Sequence, residues 1–205
     1  DKPQDGRMIF DLLGKAFDVR VNYMPAYLGE AVTARLLDRD VTMLTLEDLP
    51  LRARDDHALR EALASPFGLI VITGPTGCGK TTTMYCALQE LNDDAKKLMT
   101  IEDPVEYLFP GMVQTQLKPP AGVTYERALR AVFRAGPDVL MVGEIRSAET
   151  IQLCLQGALS GLHVLTQLHT NNAAAALRRM LDLEVDPYLV SDGVRLIVAQ
   201  RLVRR

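Results

Sequence analysis

Nowhere does this sequence approach the ~20 consecutive apolar residues that a membrane-spanning helix requires. Its first residues, Asp1 to Gly6, are too polar for a secretory signal. Cysteine is scarce: Cys78, Cys86 and Cys154 form no C-x-x-C pair and no even set, which speaks against a disulfide framework and a zinc site and fits a reducing cytosol. A basic surplus is missing too. Lys and Arg total 23 against 26 Asp and Glu, a net charge of −3, and no basic or aromatic stacking stripe stands out, so nucleic acid is not an expected partner. Internal repeats and low-complexity tracts are absent, and Ala173–Ala176 reads as plain helix.

What is present is an ordinary globular mixture, 48% hydrophobic and 24% charged over 205 residues, enough for one full core and part of a second domain. The strand-like pieces Met8–Phe10, Phe17–Val21 and Ala31–Leu37, broken by Leu13-Gly14-Lys15 and Met24-Pro25, read as a small sheet. Because the chain opens on Asp1-Lys2-Pro3-Gln4-Asp5-Gly6 without a methionine, this piece is expected to be a trimmed remnant of a larger domain, a small α+β fragment. A connecting stretch, Asp38 to Pro50, leads to a helix over Asp55–Ala64 that ends at Ser65-Pro66. The expected division is 1–45 for the remnant with its linker and 46–205 for the main domain.

From Leu69 onward short apolar runs alternate with helical patterns: Leu69–Thr73, a helix over Lys80–Leu91, Leu98–Ile101, a helix from about Thr124, Val139–Val142, a helix from Ser147, and Val164–Leu168. That alternation predicts an α/β domain with a mostly parallel sheet. Thr124 with Glu126 and Ser147 with Glu149 supply helix starts, and Gly136-Pro137 supplies a stop.

Gly74-Pro75-Thr76-Gly77-Cys78-Gly79-Lys80-Thr81 satisfies G-x-x-x-x-G-K-[ST], directly after an apolar strand and before a helix. Glycines there let backbone N–H groups converge on phosphate oxygens, and the helix start adds its positive dipole end. Lys80 would reach the β- and γ-phosphates, and the Thr81 hydroxyl, with Thr82 beside it, would serve Mg²⁺ and the nucleotide. Cys78 contributes its backbone. The expected ligands are therefore ATP or ADP with Mg²⁺.

Hydrolysis needs carboxylates at strand ends. Val139–Val142 runs into Gly143-Glu144, which suits Glu144 to Mg²⁺ or its water, and Thr100-Ile101-Glu102-Asp103-Pro104-Val105-Glu106 makes Glu102 the candidate for polarising the attacking water ahead of Asp103 and Glu106. His169 follows another buried-looking strand and could touch the γ-phosphate or its water, or be structural. His163 and His57 read as structural.

Taken in order, these segments resemble the type II secretion and type IV pilus assembly ATPases. Gly74–Thr81 is similar to the family's phosphate-binding loop and Thr100–Tyr107 to its aspartate box; Gly136–Arg146 is similar to its Walker B segment and Gly161–Asn171 to its histidine box. Residues 3–7, 18–21 and 29–37 look like the end of the PAS-like domain that precedes the motor, and Ala199–Val203 like the stretch after the histidine box. The resemblance implies a RecA-like motor whose last part lies beyond Arg205, working as a homo-hexamer at the cytoplasmic face of the inner membrane and docked peripherally through platform proteins. It also implies that arginines of the preceding domain approach the γ-phosphate, Arg20 and Arg35 being the matching positions; Arg130, Arg134 and Arg146 are further candidates. Cys78, Ser147 and Gln167 depart from the usual Ser, Asp and small hydroxyl residue. A nucleotide-gated scaffold, a pilus-retraction or conjugation-type ATPase and a DNA-handling motor are the rival readings.

Overall fold

The computed structural model describes residues 2–12, 15–38, 44–93 and 95–204. Contacts divide the chain into two units, residues 1–43 and 44–205. The first is an antiparallel sheet ordered β1 (Gln4–Leu12), β2 (Lys15–Ala26), β3 (Gly29–Asp38). Among its described residues the regular elements are these three strands, with a turn at Tyr27-Leu28. Met24-Pro25 does not break the sheet. It lies inside β2, whose hairpin turns at Tyr27-Leu28, and Pro25 faces Glu30 one pair from the end of the ladder, where a missing N–H costs little. The expected break at Leu13-Gly14 and residues 39–43 of the connecting stretch lie outside the described residues.

The second unit is a six-stranded, wholly parallel sheet in the order β6-β5-β7-β8-β4-β9. Its strands are β4 (Gly68–Thr73), β5 (Leu98–Glu102), β6 (Met112–Gln116), β7 (Val139–Val142), β8 (His163–Leu168) and β9 (Val194–Ala199). The helices are α1 (Ala53–Ala64), α2 (Lys80–Leu91), α3 (Tyr125–Ala135), α4 (Ala148–Leu159), α5 (Ala173–Asp182) and α6 (Pro187–Gly193). Two-residue periodicity sorts each strand between two cores. Ile70, Ile72, Leu98, Met141 and Leu165 pack with α1 and α2; Leu69, Val71, Ile101, Leu140, Val142 and Val164 pack with α3, α4, α5 and α6. With both faces covered, a central strand reads as an unbroken apolar run, as Leu69-Ile70-Val71-Ile72 does. Burying each such side chain contributes roughly 1.5–3 kcal/mol.

The expected helix starts are present: the Thr124 hydroxyl accepts from the Arg127 N–H and the Ser147 hydroxyl from the Thr150 N–H. Gly136 ends α3 in the left-handed conformation, at φ 61°. Burial pushes the Cys154 thiol up to about 12 and that of Cys86 to about 11, so both are inert filling. No helix among the described residues is long and apolar enough to cross a membrane.

His163 has a framework role. It opens β8 with Nδ1 3.0 Å from the Ser65 carbonyl, so that nitrogen carries the proton, and Nε2 is buried with no hydrogen-bond partner among the described residues. Burial lowers its pKa, the Ser65 carbonyl opposes this, and Lys96 adds to the lowering. A histidine lowered in the folded state takes up a proton more readily when unfolded, so its contribution is complete above the unfolded value of about 6.5 and is lost as pH falls toward the folded value. The urea midpoint should therefore decline below about pH 6.5, and less steeply in His163→Gln. Parallel slopes for the two proteins would contradict this role.

Candidate functional site

Because all six strands run the same way, their carboxyl ends share one edge, along which lie the glycine-rich loop, Glu102, Asp103, Glu144 and His169, whereas His163 opens β8 at the other edge and Arg134 precedes the start of β7. The order across that edge follows the sheet: Glu102 and Asp103 leave β5, Glu144 follows β7, His169 follows β8, and the glycine-rich loop follows β4. Adjacent strands are about 4.8 Å apart, so residues distant in sequence become neighbours. The Thr73 hydroxyl fastens two of these ends together, lying 3.0 Å from the carbonyls of Leu168 and Thr170 and 2.8 Å from the Thr170 hydroxyl.

The loop is shaped by glycines that no other residue could replace without strain. Gly74, Gly77 and Gly79 have φ of 147°, 76° and 85°. At Gly74 an added Cβ would come within 2.4 Å of the Gln200 carbonyl oxygen and 2.7 Å of the Cys78 sulfur, so the position is closed by crowding as well as by conformation. Gly79 caps α2, whose first residue is Lys80. The Lys80 side chain is buried and curls over the loop, with Nζ donating to the Gly74 carbonyl at 2.9 Å and the Pro75 carbonyl at 3.0 Å. An ammonium group held by backbone carbonyls above a helix start makes a cradle for an anion.

Beside it Glu144 is the centre of a charged cluster. One of its oxygens meets Arg146 Nη2 and the other lies 3.1 Å from His169 Nε2. Arg146 Nη1 also donates to Asp103 at 3.3 Å. The structure thus brings Glu144, His169, Arg146 and Asp103 together. Thr81 and Thr82 occupy the first turn of α2, directly behind Lys80.

Glu102 lies apart from the Glu144 cluster in its own hydrogen-bond network. It is only 3% exposed and spends both oxygens on protein donors: the Tyr85 hydroxyl on one, Thr100 Oγ1 at 2.5 Å and Gln114 Nε2 at 3.2 Å on the other. Three donors thus occupy this carboxylate. Burial, then the neighbouring Glu102 charge, pushes the Tyr85 hydroxyl pKa far up, so it stays a donor. Tyr85 also stacks on Phe109 and meets Tyr107 edge-on, while Gln114 donates to the Tyr107 carbonyl at 2.8 Å. Glu102 thereby ties down the segment carrying Asp103 and the exposed Glu106.

In the first unit Arg20 and Arg35 are paired in register, in a row with Arg7 on the other side of Arg20. Asp18 holds the Arg7 guanidinium and raises its pKa; Arg20 Nε and Nη2 have no hydrogen-bond partner among the described residues. Arg130 is paired with Glu149 at 2.9 Å, and Arg134 lies in the last turn of α3. Tyr85 and Gln114 carried no sequence signal of their own, since α2 also holds Lys80, three threonines, Gln89 and Glu90, and β6 also holds Thr115 and Gln116.

The profile of the family described as "Type II/IV secretion system protein" matches residues 1–205. The chain is 46% identical over 202 residues to the type II secretion system ATPase E of Vibrio cholerae, covering 98% of this chain and 40% of that protein. Among solved structures it is similar to the Legionella pneumophila ATPase DotB, with a TM-score of 0.81 and 29% identity over 98% of this chain and 58% of that one. It is similar also to the pilus retraction motor PilT with bound ADP, with a TM-score of 0.80 and 30% identity over 99% of this chain and 60% of that one. The chain therefore spans less than two thirds of the length of these relatives. A match over its entire length, joined to this strand-end geometry, makes the chain a member of the type II/IV secretion system protein family.

Proposed function

We propose that this chain binds MgATP in the cradle of Gly74–Thr82 and hydrolyses it as the motor part of a type II secretion or type IV pilus assembly ATPase. The observation that carries the reading is the glycine-shaped loop with Lys80 over it, flanked at the neighbouring strand end by the Glu144–His169 pair. The V. cholerae relative named an ATPase, and PilT with its bound ADP, support it.

In this reading Pro75, Thr76 and Cys78 offer backbone N–H groups or shape, Gly74, Gly77 and Gly79 the conformations, and the start of α2 its dipole, to hold the phosphate tail. Lys80 exchanges its two carbonyl partners for β- and γ-phosphate oxygens. Thr81 would ligate Mg²⁺, with Glu144 accepting from a water on the ion, since Mg²⁺ keeps several waters and takes one or two protein ligands beside the phosphates. When bound, Mg²⁺ neutralises charge developing on the phosphates. Positioning the attacking water falls to the Glu144–His169 pair and to the carboxylates of Asp103 and Glu106, with Glu102 acting from behind them. Arg20 has guanidinium donors to spare among the described residues, and it and Arg35 hold the positions at which the family resemblance implies arginines for the γ-phosphate.

The same reading places the parent protein in a homo-hexamer on the cytoplasmic side of the inner membrane, held by platform proteins of the secretion or pilus machine. Secretion or assembly is favoured over retraction by the 46% identity to a type II ATPase against 30% to PilT. The test is steady-state phosphate release from ATP. Mg²⁺-dependent release that rises more than proportionally with protein concentration is the expected result, as shared sites in a ring require. Binding without any release at any concentration would establish the nucleotide-gated scaffold instead.

A further inference from the structure

The nucleotide reading leaves Gln200 unexplained. β9 lies beside β4 in register to the pair Thr73–Ala199, so the next residue arrives at the root of the phosphate loop. The Gln200 N–H donates to the Thr73 carbonyl at 2.9 Å, and the Gln200 carbonyl oxygen is the nearest atom, at 2.4 Å, to where a side chain at Gly74 would begin. Its side chain then turns onto the loop, where Nε2 donates to the Cys78 carbonyl at 2.6 Å and stands 3.2 Å from where a Cβ on Gly79 would be. The reversed amide would set oxygen against oxygen at Cys78, so the donor orientation is fixed. Arg201, next in the chain, donates to the Asn171 carbonyl at 3.0 Å, two residues beyond His169.

We propose that Gln200 is a positioning residue for the phosphate cradle. In a trans peptide the C=O and the following N–H point in opposite directions. Holding the Cys78 oxygen from behind therefore turns the Gly79 N–H the other way, into the concavity. The hold is needed because a peptide flanked by glycine rotates at little steric cost: Gly79 already sits at φ 85° and accepts either orientation. A rotated peptide would present a carbonyl oxygen to phosphate and repel it. Gln200 thus fixes in advance a donor that the ligand would otherwise have to order, and preorganisation of this kind appears as affinity.

The inference rests on the nucleotide reading, and one experiment separates the two. MgADP is titrated calorimetrically into the wild-type chain, Gln200→Ala and Gln200→Met, and each is melted without nucleotide. Met keeps the length of the side chain and removes the donor. Melting should fall by no more than about 4 °C, the size of one lost hydrogen bond in a chain of this length, while the dissociation constant rises about tenfold in both variants. A purely architectural glutamine would lower melting and leave the affinity of the folded molecules alone. Wild-type binding matched by both variants overturns the role of Gln200, and so does failure of both variants to fold; absence of wild-type binding overturns the nucleotide reading itself.

Discussion

Lys80→Ala is expected to weaken MgATP and MgADP binding at least 100-fold while leaving the fold intact. The ammonium group is the positive charge held inside the loop, and its two partners, the carbonyls of Gly74 and Pro75, are local. A charge-assisted contact to phosphate contributes roughly 1.5–3 kcal/mol, and two such contacts are lost together; at 1.4 kcal/mol for each factor of ten, 100-fold is the lower end of the sum. Truncation leaves those carbonyls beside a loop open to water, so melting should move by only a few degrees. Titration calorimetry and thermal unfolding on the same preparation check both halves. Unaltered affinity would remove the phosphate assignment from this lysine.

Glu144→Gln should bind nucleotide normally and turn over roughly 10²–10⁴-fold more slowly, the range typical of lost acid–base help. The substitution preserves shape but removes the charge that Arg146 and His169 share. Glu102→Gln should behave otherwise. Its oxygens bind Tyr85, Thr100 and Gln114 inside the core, and an amide nitrogen in place of one oxygen would face a donor and leave a buried group unpaired, costing about 1–3 kcal/mol of stability. Urea unfolding together with phosphate release distinguishes the two carboxylates: stability falls for Glu102→Gln, turnover for Glu144→Gln. The reverse pattern would exchange their roles.

The strand-loop-helix around Gly74–Thr81 was legible because each feature is local: an apolar run, glycines at required backbone angles and a helix start. The helix caps at Thr124 and Ser147 were legible for the same reason. β6 was not, since an edge strand of Met112-Val113-Gln114-Thr115-Gln116 carries little apolar signal and is specified by pairing with β5. β9 was likewise passed over, though it delivers the next residue, Gln200, to the phosphate loop. Strand ends announce where a carboxylate lies along the chain but not which way it faces. Glu102 is the last residue of β5 and, like Thr100, points into the α2 side, whereas Glu144 is two residues past β7, free of the pleat, and reaches Arg146 and His169. Pro25 shows the limit of punctuation signals, because a proline close to the end of a ladder interrupts nothing.

The central claim, that the loop of backbone amides with Lys80 and Thr81 grips the phosphates of a magnesium nucleotide, is tested most directly by titrating MgADP into the folded chain in a calorimeter. Saturable heat with a dissociation constant below roughly 1 mM, abolished in Lys80→Ala, is the predicted result. A folded wild-type chain that gives no heat at millimolar MgADP would contradict it.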